Sequence, residues 1–130
     1  MTTTPLGHDE ARGRAIDDLP PLWDGFARLV RSGLGLSAFG ANVMNIPPGY
    51  TTKSHDEGGS GQEEFYIGLA GSGWIVLDDD GARLAVSPDH AVAVGPGRPR
   101  AVSGGPDGLR LLIVGGTPGV AYEPQAWSSG

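Results

Sequence analysis

Residues 47–73 read PPGYTTKSHDEGGSGQEEFYIGLAGSG and gather a histidine, several carboxylates and two tyrosines into one short stretch. His55 stands two residues before Glu57, and Glu64 stands two before Tyr66. An imidazole titrates near neutrality. A carboxylate beside it either shares its proton or joins it in holding a divalent cation. Side chains two apart on an extended chain share a face, so His55 and Glu57 point the same way if 51–57 is a strand. On 63–70, Glu64, Tyr66 and Gly68 share one face and Phe65, Ile67 and Leu69 the other. Glu63 points opposite to Glu64 and takes no role. Each residue also has a plainer reading. His55 beside glycines fits an exposed loop histidine, Glu57 a solvated acid, and Tyr66 core filler with a satisfied hydroxyl. His90 after SPD, and His8 near the start, read as exposed.

The elements that must position these groups are short strands. The 23 glycines and 11 prolines punctuate brief apolar runs at fairly regular intervals, the pattern of a sandwich or barrel. Residues 1–22 read as an N-terminal arm with a helical turn within 10–16, and 23–130 as one domain. The run 23–36 is ambiguous between helix and strand. Strands are predicted over 37–46, 51–57, 63–70, 74–79, 82–86, 91–94, 99–103 and 109–116, about eight to ten in all. GGSGQ (58–62) reads as a flexible loop, Gly71-Ser72-Gly73 as a turn, and DDG as the turn of a hairpin. The tail after 116 is irregular, with two aromatics able to pack back on the core. The face carrying Phe65, Ile67 and Leu69 is strongly apolar and must be covered, by the N-terminal strands or by a second copy. A homodimer is the expected assembly.

Composition closes several function classes. The net charge of −6 and nine scattered cations oppose binding to phosphate backbones or anionic membranes. The absence of cysteine rules out disulfides and thiolate metal sites. The N-terminal stretch lacks the pattern of a signal peptide, and no run approaches the ~18–20 apolar residues of a membrane span. A soluble cytoplasmic protein is expected. GLAGSG does not have dinucleotide-binding glycine spacing, GGSGQ is not a nucleophile elbow, and no phosphate-binding loop is present.

Five residues separate Gly49 from His55, one separates His55 from Glu57, and six separate Glu64 from Gly71. This spacing resembles the first motif of the cupin superfamily, Gly-x5-His-x-His-x3/4-Glu-x6-Gly. The stretch SPDHAVAVGPGRPRAVSGG (87–105) resembles the second, Gly-x5-Pro-x-Gly-x2-His-x3-Asn, with VGPGRPR as its turn. The likeness spans roughly residues 36–116. It implies an all-β fold, a cupin-type double-stranded β-helix or jelly-roll-like barrel of two antiparallel sheets with a pocket inside. Such barrels commonly bind a divalent metal through two His, one Glu and a final His. Here Glu57 stands at the second His, Arg100 at the last, and Gly104 at the Asn. Six residues rather than three or four part Glu57 from Glu64.

A guanidinium is always protonated and cannot ligate a cation, but it pairs with carboxylates, here Glu57 and Glu64. The resemblance therefore implies a metal-free, small-molecule-binding cupin. Arg100 and Glu57 would bind the ligand, a small carboxylate. His55 would be the base, with Tyr66 or Glu64 the acid of an isomerase, cyclase or lyase. The competing reading is a metal-dependent, dioxygenase-like cupin holding Fe, Mn, Ni or Zn through His55, Glu57 and Glu64. A third is a non-catalytic sensing or structural cupin.

Overall fold

The structure is a computed structural model that describes residues 3–77 and 81–125. A 3-10 turn at Ile16–Asp18 precedes β1 (Pro21–Leu22) and β2 (Ala27–Leu29). One short helix, α1 (Val30–Leu34), follows directly. Then come β3 (Gly40–Ile46), β4 (Glu63–Val76), β5 (Arg83–Val86), β6 (Ala91–Val94) and β7 (Ala101–Gly116). The ambiguous run 23–36 thus divides between strand and helix. Gly35 closes the helix in the left-handed region (φ 76°), where a side chain is disfavoured.

The strands pair antiparallel in the order β1-β2-β3-β7-β4-β5, with β6 also on β4. The long central strands β4 and β7 each serve both walls of the barrel. They pair through three successive registers, with shifts at Gly68/Ala70 and Gly71/Gly73. Two sequence expectations are corrected here. Gly71-Ser72-Gly73 is no turn, because β4 runs through it. The segments 99–103 and 109–116 are one strand, because β7 runs through 104–108. The reason is steric. A Cβ on Gly71 would strike the Gly108 carbonyl, and one on Gly73 the Ser103 carbonyl. These glycines permit a bulged corner and close backbone approach rather than a chain reversal. β4 and β5 pair antiparallel as expected; of the DDG expected to join them, residues 79 and 80 lie outside the described residues.

The segment 51–57 is a third correction. It forms two isolated bridges, Thr51 with Ser103 of β7 and His55 with Arg100 just ahead of it. Its one extra residue between those rungs breaks the ladder.

Strand alternation holds on β4. Tyr66 is buried, while Phe65 and Leu69 are about 40% exposed. The barrel core joins Tyr66 with Ile46, Ile75, Leu77, Val86, Val92, Val94, Val102, Leu109, Leu111 and Ile113. Each fully buried aliphatic side chain contributes roughly 1.5–3 kcal/mol. The N-terminal elements cover one outer face. Leu19, Ala27, Leu29, Ala41 and Val43 are all buried, and Arg12 and Arg28 donate to the carbonyls of Leu34 and Leu19 at 3.2 Å each. That cover lies over β3. The outer face of β4 stays open.

Candidate functional site

Three pieces of chain deliver the site. β4 turns Glu64 and Tyr66 inward. The segment before it carries His55 and Glu57. Arg100 stands just ahead of β7. His55 and Arg100 form one rung: the His55 N–H donates to the Arg100 carbonyl at 3.0 Å, and the Arg100 N–H donates back at 2.9 Å. Such reciprocal bonding sets two residues directly opposite, with side chains on the same face. All five residues singled out from the sequence are therefore brought together.

Glu64 is the hub. Its Oε1 accepts from the Tyr66 hydroxyl at 2.6 Å and from Arg100 Nη1 at 3.3 Å, with His55 Nε2 at 3.6 Å. Glu57 is the second acid, also buried. Its Oε2 faces His55 Nε2 at 3.3 Å. Its Oε1 accepts from Ser60 Oγ at 2.9 Å and Gln125 Nε2 at 2.7 Å. Its backbone N–H is fixed by the Pro96 carbonyl at 2.8 Å. Arg100 has no accessible surface. It spends Nη2 on the Gly95 carbonyl and leaves Nε without a partner among the described residues. The expected pairing of Arg100 with both acids reduces to Glu64 alone among the contacts described.

The charges act on one another. His55 is raised above its ordinary 6.5, chiefly by the Glu64 carboxylate that faces its Nε2. Partial burial opposes this, and the charges of Glu64 and Glu57 add to it. Glu64 counts most although Glu57 lies slightly nearer; both separations are ion-pair contacts rather than short hydrogen bonds. Burial alone would raise Glu64. The facing His55 imidazole, the hydrogen bond from Tyr66 and the Arg100 charge outweigh it and hold Glu64 below 4.5. Tyr66 is pushed far above the usual phenol range, first by burial and then by the adjacent Glu64 charge.

Nε2 of His55 and one oxygen each of Glu57 and Glu64 lie within 4.8 Å of one another, a possible metal-ligand set. His55 is about half exposed and marks the mouth; Glu57 and Glu64 lie behind it. Beside Glu64 lies a small cavity among the described residues. It measures about 30 Å³ and is lined by Gly40, Asn42, Gln62, Glu64, Ile113, Gly115, Tyr122 and Gln125, close to one water's share of liquid volume. His90 and His8 are exposed as expected, and His90 hydrogen-bonds Ser87 at 2.8 Å.

Sequence reasoning missed Ser60 and Gln125. The loop read as flexible is a tight turn: the N–H groups of Ser60 and Gly61 both donate to the Glu57 carbonyl, at 3.1 and 2.8 Å. A serine three residues after Glu57 was the available signal. Gln125 gave none, since its contact is made 68 residues away. Of the two tail aromatics, Tyr122 packs back as expected, while Trp127 lies outside the described residues.

No protein-family model matches the chain, and no curated protein matches it in sequence. Solved structures match it in fold. A cupin protein from Bacteroides fragilis is 19% identical over 96% of this chain and 97% of that one, with a TM-score of 0.68. A cupin 2 conserved barrel domain protein from Salinispora arenicola is 20% identical over 84% and 89%, with a TM-score of 0.62. The oxalate decarboxylase of Bacillus subtilis, a protein with Mn(II) centers, is 19% identical over 73% of this chain and 26% of its own, with a TM-score of 0.55. The fold is that of a small cupin barrel, all-β and antiparallel.

Proposed function

We propose that this cupin barrel is a small-molecule site that moves a proton without a resident metal, in the manner of an isomerase, cyclase or lyase acting beside a carbonyl. The observation that carries this reading is the placement of Arg100. It is fully buried, on the same rung as His55, and 3.3 Å from the Glu64 oxygen nearest the imidazole. A divalent ion on that oxygen, at the roughly 2.0–2.2 Å of a carboxylate ligand, would sit against a permanent cation. The guanidinium already compensates the charge of Glu64.

His55 is the proton carrier. Its raised pKa favours the imidazolium in the resting site, so it enters as acid and returns as base. Glu57 steers Nε2 through its own Oε2. Glu64 remains a carboxylate and stabilises the imidazolium. Tyr66 is too weak an acid for proton donation near neutrality, and we assign it to hold Glu64 in place. Arg100 offers a ligand carboxylate no accessible surface in this arrangement, so we assign it charge compensation rather than the clamp expected from sequence.

One observation favours a second reading. The three donor atoms of His55, Glu57 and Glu64 converge within 4.8 Å, and a Mn(II) protein shares the fold. In that case these residues would hold the ion, and it would supply Lewis-acid chemistry. Elemental analysis and calorimetric Zn²⁺ and Mn²⁺ titration of untagged protein separate the two. The metal-free reading expects no stoichiometric metal in wild type and at least about tenfold tighter Zn²⁺ binding in Arg100→His, which exchanges a cation for an imidazole donor. A full equivalent of tightly held metal in wild type would overturn it. We further propose that the open outer face of β4 is covered by a second copy of the chain.

A further inference from the structure

After β7 the chain returns to the site it has just built. Thr117 donates from its hydroxyl to the Ser60 carbonyl at 3.0 Å. A turn follows, with the Val120 N–H on the Thr117 carbonyl at 3.3 Å and Gly119 at φ 70°. Residues 121–125 form neither helix nor strand, and Val120 is 63% exposed. Two side chains hold the segment down. Tyr122 covers Gly40, where an added Cβ would meet its hydroxyl at 2.5 Å, and its ring lies 5.9 Å from the Arg31 guanidinium. Gln125 reaches Glu57 at 2.7 Å. The same two residues wall the 30 Å³ cavity beside Glu64.

We propose that residues 118–125 are a tethered occupant of the site, and that the true ligand displaces Gln125 by offering its own N–H or O–H donor to Glu57. This inference rests on the reading of the barrel as a small-molecule site. It also narrows the ligand class. Glu57 Oε1 takes two donors, one from Ser60 and one from Gln125. Withdrawing Gln125 frees one acceptor position on Glu57, beside the small cavity that Glu64 also lines. A primary amide, hydroxyl or ammonium group fits that position. An anionic group there would meet Glu57 and Glu64 with Arg100 already engaged. A tethered group competes through its high effective concentration, so the closed strap would weaken capture of any ligand that lacks such a donor.

The probe is propionamide, which carries the same carboxamide as Gln125, with propionate as the matched anion. Binding is followed by saturation-transfer NMR in buffer containing EDTA, on wild type, Gln125→Ala and Gly40→Ala. Gly40→Ala leaves the strap sequence intact and pushes Tyr122 away from outside it. Both variants are expected to bind propionamide about tenfold more tightly than wild type, the factor of one released charge-assisted hydrogen bond, with no gain for propionate. Unchanged propionamide affinity in both variants, with or without a lower melting temperature, would overturn the proposal, as would an equal gain for propionate. The chelator makes this result independent of the metal titration. A gain here with stoichiometric metal there keeps the strap and removes the metal-free mechanism; the converse pair of results does the reverse.

Discussion

His55 binds its proton more tightly than a free histidine because Glu64 and Glu57 face its Nε2 and outweigh its partial burial. A group whose pKa is raised in the folded state stabilises the fold fully below its ordinary value of 6.5. That contribution is lost as pH climbs through the higher folded value. Glu64 has the opposite sign. Its pKa is lowered, so its contribution is present above 4.5 and disappears as pH falls through the lower folded value. Both contributions are whole between 4.5 and 6.5. Urea midpoints measured from about pH 4 to about pH 9 are expected to form a plateau in that window and to fall on its alkaline side. The alkaline fall should vanish in His55→Gln. A wild-type profile that stays flat above neutrality would mean that the imidazolium is not paired in solution. At this scale the sequence was informative, because alternation on 63–70 and the spacing of His55 and Glu57 depend only on local geometry. It could not disclose that Arg100 would be wholly enclosed. Nor could it show that Gln125 would close on Glu57, since that contact exists only after the barrel has formed.

At the scale of elements, the corners of β4 and β7 decide where the site residues fall. Glu64 and Tyr66 sit on the half of β4 that precedes Gly68, while Trp74, Ile75 and Val76 pair with the other half of β7. The bend between them is what lets one strand line two walls. Gly71 combines a φ of 72° with a backbone carbonyl where its Cβ would stand. Gly71→Ala is therefore expected to destabilise by roughly 2–4 kcal/mol, the sum of left-handed strain and a clash that no side-chain rotation relieves. Gly97 is the control. It has no positive φ and nothing within 4 Å of an added Cβ, so Gly97→Ala should stay within about 0.5 kcal/mol of wild type. Thermal melts of the pair give the comparison; equal melting temperatures would refute the account of the corner. The same glycines explain why strands were legible in the sequence and strand ends were not. A glycine that permits a bulge and a glycine that permits a reversal have the same letter, and only the partner strand distinguishes them. The segment 51–57 shows the reverse problem. Its composition admits a strand, but one extra residue leaves it two isolated bridges.

At the scale of the whole molecule, the unresolved demand of the fold is the outer face of β4, β6 and β7. Phe65, Ile67 and Leu69 stand there with Ala91 and Ala93 of β6 and Leu112 and Val114 of β7, all exposed or half-buried. A groove of about 500 Å³ runs along it past Phe39, Phe65, Val114 and Pro118. The apolarity was legible from alternation alone. Its cover was not, because the N-terminal elements dock on β3, on the other side of β7, as the order β2-β3-β7-β4 requires. A second copy suits this face for an electrostatic reason. Two chains of net charge −6 repel over most of their surfaces, whereas these seven side chains carry no charge and Glu63 is the acid of β4 at the end of this face, so like copies approach there at low cost. Light scattering with size-exclusion chromatography is expected to give a dimer for wild type and a monomer for Phe65→Asp, which would bury two unpaired carboxylates in a twofold interface. Phe65 points away from the barrel, on the strand face opposite Glu64 and Tyr66. The monomeric variant should therefore keep the His55 titration seen by NMR. If wild type is already a monomer at high concentration, the second copy does not cover the face. If Phe65→Asp shifts the His55 titration, the two faces of β4 are not independent, and the separation of assembly from chemistry on this strand is wrong.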